Sequence, residues 1–270
     1  MLFRSYWYDG STGTFISSTF YKPGLPIWVE QFNAQKLADK YLSKEWNTLL
    51  PIATYVESNP DDMAFESRFK GKDRPVFPYN LAELRKLNGE LDMVSVVPYG
   101  DDLLTDFAKA AIDGEGIGKD EVTDFLTISF STPDLVGHSM GPNSIELEDT
   151  YLRLDRNIQD LLATLDKKVG VGNYVVFLSS DHGVGDIPQE LMSKNIPVWI
   201  KNTFAPEDFG TVITTNNATY AHLQSDNIVS GISSINNISL ITLEGSGMIG
   251  IDRKSTRLNS SHLGISYAVF

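Results

Sequence analysis

The chain has 270 residues, a formal net charge of −13 and no cysteine. This length allows one large domain or a core with an insertion. The acidic balance argues against a protein that binds nucleic-acid backbones. Without cysteine, disulfides and thiolate zinc sites are excluded, so any metal ligands must be histidine, carboxylate or hydroxyl groups. The sequence contains no apolar run of about 18 residues and no signal-peptide pattern, so it predicts no membrane span.

Both ends of the chain resemble translated sequencing-adapter DNA. From Asp252 to His262 the residues follow a common short-read adapter codon by codon, and the final residues match its continuation. Leu2 to Ser5 match the tail of the paired adapter. We therefore interpret residues 1–5 and 252–270 as adapter-like artefacts. On this interpretation, residues 6–251 are an internal piece of a longer gene product.

The first part of the chain is rich in aromatic residues and poor in regular periodicity. Residues 14–21 predict a strand, and a helix is expected after Pro26. The side chains expected to face inward from this helix are Trp28, Phe32, Leu37, Tyr41 and Leu42. Residues 58–79 are polar and contain proline, which indicates a surface excursion. We interpret residues 6–90 as a cap or insertion region, either covering a substrate site or packing peripherally.

Residues 91–251 are interpreted as an α/β core. Residues 91–97 predict its first short strand. Asp101 can then cap a helix. The apolar side chains that this helix would bury are Leu103, Leu104, Phe107, Ala111 and Ile112.

The most regular stretch lies in the middle of the chain. Residues 124–130 predict a buried strand, and a helical apolar period runs from residue 143 to residue 169. Asn143 and Glu146 form the predicted capping box of this helix. Residues 173–179 predict a second buried strand. Strand, helix and strand together indicate a right-handed βαβ unit of a parallel sheet.

The pattern weakens after residue 183. Residues 198–200 predict one more strand. Residues 211–220 and 232–243 indicate β-rich or loop segments. His222 lies in a polar stretch and is expected to be a solvated loop histidine.

Each strand of the predicted βαβ unit is followed by a carboxylate and an imidazole. Asp134 and His138 are four residues apart, so one helical turn or tight loop puts both on one side. Asp181 and His182 are adjacent, and Gly183 permits the break in the strand that lets them converge. The carboxyl ends of parallel strands are where open α/β sheets place their ligands. Mixed imidazole and carboxylate ligands suit zinc, and manganese less well, so the sequence predicts a metal site.

The residues around these pairs resemble a known family. Residues 132–142 (TPDLVGHSMGP) and 180–183 (SDHG) are similar to motifs of the alkaline phosphatase superfamily. The extension from Gly141 to Asp155, residues 15–18 and the region from Trp28 to Trp46 resemble its bacterial single-chain, PafA-like branch. The resemblance implies a partial α/β alkaline-phosphatase-like fold, with a mostly parallel sheet, helices on both faces and an irregular aromatic-rich cap.

The resemblance also implies a ligand set and an activity. Asp134 and His138 would bind one zinc ion, and Asp181 and His182 would bind the second. The whole protein would hydrolyse phosphate monoesters of small substrates through a phosphoryl-enzyme intermediate, and it would be periplasmic or secreted. Family members add a Thr or Ser nucleophile and phosphate-contacting Lys and Arg, but no catalytic residue is assigned in this chain, so we expect the chain alone to be inactive.

Two alternatives stay open at this point. The first is a phosphodiesterase or nucleotide pyrophosphatase of the same superfamily, because both activities use the same metal ligands. The second is a non-catalytic binding module in which the Asp and His residues are ordinary loop residues. No nucleic-acid partner is expected, and the sequence indicates no particular oligomeric state.

Overall fold

The computed structural model describes the following residues of the chain: 2–200, 207, 210–213 and 264–269. They belong to two compact units, one formed by residues 1–183 with 244–270 and the other by residues 184–243. In the described part of the chain, no helix is both long enough and apolar enough to cross a membrane. The predicted domain boundaries, including the adapter-like ends, stay a prediction.

The first unit contains both helices and strands. Its helices are α1 (Ile27–Asn33), α2 (Leu37–Leu42), α3 (Leu81–Leu84), α4 (Tyr99–Gly114), α5 (Thr132–Met140) and α6 (Ile145–Lys168). Its strands are β1 (Leu2–Asp9), β2 (Thr14–Ser17), β3 (Glu45–Trp46), β4 (Tyr79–Asn80), β5 (Asp124–Ser129) and β8 (Gly264–Val269). Short 3-10 helices cover Ile52–Thr54, Arg85–Leu87 and Glu90–Val96.

The main sheet of this unit has the strand order β2-β1-β8-β5, and its direct pairings are antiparallel. Ile265 of β8 pairs with Tyr6 of β1 on one side and with Ile128 of β5 on the other. Because β8 lies antiparallel to both neighbours, β1 and β5 run parallel to each other. The expectation of mostly parallel pairing is therefore wrong for the described strands. β2 and residues 6–9 of β1 come from the segment interpreted as a cap and share this sheet with β5, whereas β8 and residues 2–5 of β1 lie in the ends interpreted as adapter-like.

The described helices leave one face of β5 open. Phe125, Thr127 and Ser129 are exposed, whereas Leu126 and Ile128 are half-buried against the core. Alternation of this kind is typical of a strand with one covered face. The expectation of helices on both faces is therefore not met at β5 in the described part of the chain.

The core of the first unit is built around α4, which confirms the predicted helix. This helix begins at Tyr99 with Pro98 at its N-cap, so the predicted capping role of Asp101 is wrong. Phe107 is fully buried and stacks on Phe15 with ring centroids 3.7 Å apart. Tyr6 and Phe32 contact the Phe107 ring edge to face, and Trp28 packs on it at a tilt. Aromatic side chains of this kind each bury about 150–250 Å². Because Tyr6 and Phe15 belong to β1 and β2 and Phe107 belongs to α4, this cluster joins the sheet to the helices.

The helix predicted after Pro26 is divided into two. α1 ends at Asn33, and α2 begins after Lys36, whose φ of 52° is a left-handed conformation. Phe32 and Leu42, two of the side chains expected to face inward, are buried. The predicted strand at residues 14–21 is shorter than expected and corresponds to β2.

The strand predicted at residues 91–97 is wrong, because the 3-10 helix Glu90–Val96 occupies this position. Met93 and Val94 are adjacent in sequence and both buried. A strand would direct adjacent side chains to opposite faces. The short helix buries both against one side of the core.

α6 confirms the long helix predicted after residue 143. Its N-cap is Ser144, whose hydroxyl accepts a hydrogen bond from the Leu147 N–H at 3.2 Å. The predicted capping role of Asn143 is therefore wrong. Leu147 and Leu161 are buried as expected, whereas Tyr151 is 52% exposed.

The strand predicted at residues 173–179 is also wrong, because this segment pairs with no strand among the described residues. Val175, Phe177 and Leu178 are 77%, 86% and 79% exposed. β5 pairs instead with β8. The described chain therefore contains the strand and helix of the expected βαβ unit but not its second strand.

The second unit contains α7 (Pro188–Ser193), β6 (Val198–Ile200) and β7 (Thr211–Ile213). β6 confirms the strand predicted at residues 198–200 and pairs antiparallel with β7. The remainder of the 211–220 segment, the 232–243 segment and His222 lie outside the described residues.

Candidate metal centre

Asp134 and His138 lie one turn apart on α5, which begins three residues after β5 ends. Pro133 in the first turn favours the start of a helix at this point. Asp134 also lies in the first turn, where the helix dipole favours a carboxylate. His138 Nε2 is 3.4 Å from Asp134 Oδ1. The predicted convergence of these two side chains is thus present.

Asp181 and His182 follow α6 in a segment that is neither helix nor strand. His182 Nε2 is 3.7 Å from Asp134 Oδ1 and 3.8 Å from Asp181 Oδ2. The Asp181 side chain is 91% exposed. The structure therefore brings the two predicted pairs together, with one oxygen of Asp134 between the two imidazoles and Asp181 at the outer edge.

His182 is held in a defined state by its neighbours. Its Nδ1 is 3.0 Å from the Gly183 carbonyl oxygen. Because a carbonyl oxygen only accepts hydrogen bonds, Nδ1 donates, and Nε2 is the nitrogen that faces the carboxylates. The Gly183 contact raises the pKa of His182 above its ordinary value, and the Asp181 and Asp134 carboxylates raise it further. A proton and a metal ion therefore compete for this imidazole.

The candidate donors are imidazole nitrogens and carboxylate oxygens, which zinc commonly binds. Pairs of these donors are also separated by distances that suit two ligands of one zinc ion. Two donors bound at about 2.1 Å to one tetrahedral zinc ion lie roughly 3.4 Å apart. The Asp134–His138 distance equals this value, and the Asp134–His182 distance is slightly longer. Within the described ranges, however, no group of three or more His, Asp or Glu side chains is arranged to hold one ion. The pair distances show that Asp134 lies next to both His138 and His182.

The turn between α5 and α6 is held by the 58–79 excursion through main-chain hydrogen bonds. The Ser67 N–H donates to the Ser139 carbonyl at 2.8 Å, and the Asn59 N–H donates to the Asn143 carbonyl at 2.8 Å. Gly141 lies between these acceptors with a φ of 102°, a conformation that L side chains rarely adopt. The excursion therefore fixes the chain directly after His138.

Asp149 is a structurally important residue that the apolar period did not reveal. Its carboxylate is fully buried and accepts hydrogen bonds from Trp46 Nε1 (2.8 Å), the Leu49 N–H (2.6 Å), the Tyr55 hydroxyl (2.6 Å) and Arg153 Nε (2.7 Å). These bonds tie the aromatic N-terminal region to α6. The i,i+4 spacing of Asp149 and Arg153 was the signal available in the sequence.

Two further carboxyls are buried: Glu146 of α6, and Glu66 within the 58–79 excursion itself. Glu146 accepts a hydrogen bond from the Tyr79 hydroxyl at 2.5 Å, and burial raises its pKa to about 7. Burial raises the pKa of Glu66 to about 8. The side chain of Glu146 therefore packs against the excursion and does not form the predicted capping box.

Comparison with known proteins gives a consistent result. Residues 5–236 match the family model for type I phosphodiesterase / nucleotide pyrophosphatase. The chain is 50% identical over 187 residues to a Myroides odoratus protein named calcium-transporting ATPase, covering 68% of this chain and 34% of that protein. It is 49% identical over 190 residues to alkaline phosphatase PhoV of Synechococcus elongatus, covering 70% of this chain and 34% of that protein.

A crystal structure of wild-type alkaline phosphatase PafA matches the fold with a TM-score of 0.67 at 44% identity, covering 71% of this chain and 36% of that one. This match confirms the α/β fold class. The chain spans about a third of the length of each of these relatives. The chain belongs to the type I phosphodiesterase / nucleotide pyrophosphatase family, within the alkaline phosphatase superfamily.

Proposed function

We propose that the whole protein is a two-zinc phosphatase that hydrolyses phosphate monoesters of small substrates. In this proposal Asp134 and His138 hold one zinc ion, and Asp181 and His182 hold the second. The observation that carries it is the meeting of both pairs at Asp134 Oδ1, 3.4 Å and 3.7 Å from the two imidazoles. The names of two similar proteins, alkaline phosphatases PhoV and PafA, support the reaction class.

In this proposal, the residues of this chain bind the two zinc ions and orient the ligands around them. Asp134 supplies the negative charge between the imidazoles, and its place on α5 keeps it one turn from His138. The Gly183 carbonyl keeps Nε2 of His182 directed at the carboxylates. When bound, two zinc ions would lower the pKa of the attacking hydroxyl and stabilise the charge on the leaving oxygen. The attacking hydroxyl is not assigned to a residue of this chain.

Diester hydrolysis is the second candidate activity, and the description of the matching family model favours it. The same four ligands would serve either reaction, so the substrate choice must depend on other residues. We also propose that the protein acts in the periplasm or outside the cell, as the superfamily resemblance implies. Fractionation of cells that produce the full-length protein would test this location.

The zinc site can be tested on the 270-residue chain by competition with a chromophoric zinc chelator. We expect zinc binding in the wild type and a loss of affinity of roughly tenfold or more for His138→Ala and for His182→Ala, since each removes a proposed ligand. His222→Ala is the matched control, because this histidine is outside the proposed set. Equal affinity in all three variants would contradict the assignment.

The reaction can be tested on the full-length gene product. We expect p-nitrophenyl phosphate to be hydrolysed faster than bis(p-nitrophenyl) phosphate, and we expect chelation or His182→Ala to abolish both rates. Faster hydrolysis of the diester would establish the second candidate. Zinc binding without turnover of either ester would instead favour a binding module.

A further inference from the structure

Ser144 joins the end of α5 to the start of α6 through one buried side chain. The residue stands at the N-cap of α6 and is 2% exposed. Its hydroxyl accepts a hydrogen bond from the Leu147 N–H at 3.2 Å and donates one to the Gly141 carbonyl oxygen at 3.0 Å. A serine hydroxyl carries one donor and two acceptor sites, so it can make both bonds at once. Only the first bond is needed to cap α6, and the second therefore has another role.

The second bond fixes the end of the helix that carries two proposed ligands. Gly141 is the C-cap of α5, and its N–H donates to the Gly137 carbonyl at 2.9 Å. The last C=O groups of a helix have no partner within that helix. The Ser144 hydroxyl supplies a partner for the Gly141 carbonyl, three residues after His138. Two successive hydrogen bonds thus connect the cap of α6 to the residue that precedes His138.

A packing contact connects the same two helices beside these bonds. Gly137 has no side chain, and a Cβ at this position would lie 3.4 Å from Leu147 Cδ2. Leu147 is buried, and its N–H is the donor to the Ser144 hydroxyl. Ser144 therefore holds the backbone of the residue whose side chain packs on α5 at the position next to His138.

The main chain of Ser144 is also engaged. Its carbonyl oxygen accepts hydrogen bonds from the Ser58 hydroxyl at 3.2 Å and from the Glu148 N–H at 3.1 Å. These donors belong to the 58–79 excursion and to the next turn of α6. Because the side chain and the main chain of Ser144 are both bonded, the residue cannot move without disturbing α5, α6 or the excursion.

Thr150 has a buried hydroxyl in the same helix but a different set of contacts. It is fully buried, and its hydroxyl donates to the Glu146 carbonyl at 2.7 Å, one turn earlier in α6. This bond lies within one helix, whereas the Ser144 hydroxyl bridges two. Loss of the Thr150 side chain should therefore weaken α6 without releasing α5, which makes this residue a matched control.

We propose that Ser144 is a positioning residue, whose hydroxyl couples the start of α6 to the end of α5 and thereby keeps His138 directed at Asp134. His138 lies in the last turn of α5, three residues before the Gly141 carbonyl that Ser144 holds. A shift at the end of α5 would change the 3.4 Å separation of His138 Nε2 and Asp134 Oδ1. The consequence for zinc rests on the function proposed above, whereas the consequence for α5 does not.

The first experiment measures amide hydrogen exchange in the 270-residue chain without metal. Loss of a capping side chain typically raises local exchange about fivefold. For Ser144→Ala we expect this rise at residues 138–141 of α5 as well as at Leu147. For Thr150→Ala we expect no rise at residues 138–141. A Ser144→Ala effect confined to α6, or an equal rise at residues 138–141 in both variants, would overturn the proposal.

The second experiment titrates the same chains with Co²⁺, whose visible absorption reports ligand geometry. We expect Ser144→Ala to weaken Co²⁺ binding by roughly 10–100-fold and to alter the visible bands, as loss of a supporting contact does at metal sites. Thr150→Ala should bind as the wild type does. Unchanged affinity and spectrum in Ser144→Ala would overturn the positioning role.

Ser144→Thr and Ser144→Val separate the effect of the hydroxyl from the effect of side-chain shape. Both new side chains are β-branched and of similar size, but only threonine keeps a hydroxyl. We expect Ser144→Thr to bind Co²⁺ roughly tenfold more tightly than Ser144→Val, and equal affinities would overturn the proposal. A wild type that binds no Co²⁺ would contradict the zinc function, and the exchange pattern would still decide whether Ser144 holds α5.

Discussion

The two halves of the candidate site differ in how the protein holds them. Asp134 and His138 stand on α5, which follows a sheet strand and is fixed at its end by main-chain bonds to the 58–79 excursion. Asp181 and His182 stand in a segment that is neither helix nor strand and that has exposed apolar side chains. One half is therefore organised by packing before any ligand binds. The other half meets it through contacts to Asp134, so metal binding should order that half most.

The largest expected effect comes from making the same truncation in both regions. Phe107→Ala removes a ring that is fully buried among four aromatic neighbours, and we expect it to cost about 3–5 kcal/mol of unfolding free energy. Phe177→Ala removes a ring that is 86% exposed, and we expect a change within about 0.5 kcal/mol. Urea unfolding followed by circular dichroism measures both. A cost of several kcal/mol at Phe177 would show that residues 173–179 are packed in solution.

A second test addresses the polar contacts of the well-packed region. Asp149→Ala leaves the Trp46 and Tyr55 donors unpaired and the Arg153 guanidinium without its buried partner. We expect a loss of about 3 kcal/mol or more, because the breaking of a buried ion pair exposes the full desolvation cost. Asp155→Ala, on the exposed side of the same helix, is the control and should change stability by less than about 0.5 kcal/mol. Similar losses in both variants would contradict the role given to Asp149.

The smallest expected effect is a pH dependence. Burial raises the pKa of Glu66 to about 8 from an ordinary value of 4.5, so the folded chain binds this proton more tightly than the unfolded chain does. The resulting stabilisation is complete below pH 4.5 and is lost as the pH rises through about 8. Between pH 6 and 9 we expect the unfolding free energy to fall, and Glu66→Gln to reduce that fall by roughly 2–3 kcal/mol.

The exposed glutamate Glu57 provides the control for this measurement, because Glu57→Gln changes charge without changing a buried group. Denaturation at several pH values should give the wild-type slope for this variant. The pKa values of Glu146 and Asp101 are also raised by burial, so part of the pH dependence of stability should persist in Glu66→Gln. An unchanged slope in Glu66→Gln would contradict a protonated Glu66 in the folded chain.

The sequence indicated those features that depend on neighbouring residues. α4 and α6 follow long apolar periods, and both helices are present where expected. The spacing of Asp134 and His138 placed them on one side because a helical turn is a local geometry. The predicted convergence of Asp181 with His182 rested on a chain break permitted by Gly183, and His182 Nε2 lies 3.8 Å from Asp181 Oδ2.

Features that depend on distant residues could not be predicted in this way. Residues 173–179 have the composition of a strand, but strand formation depends on an available partner, and β5 pairs with β8 from the far end of the chain. The burial of the Asp149 carboxylate depends on hydrogen-bond donors about a hundred residues earlier in the chain. In each case the deciding contact has no local sequence pattern.

Two of the hydrogen bonds that fix the turn after α5 come from backbone N–H groups at positions 59 and 67, whereas the Ser58 hydroxyl donates a third to the Ser144 carbonyl. Any residue except proline can supply the N–H groups now provided by Asn59 and Ser67. Positions 59 and 67 can therefore accept very different side chains while the turn stays in place. Evolution or design could vary the rim of the site, and so what it recognises, without disturbing the helix that carries Asp134 and His138.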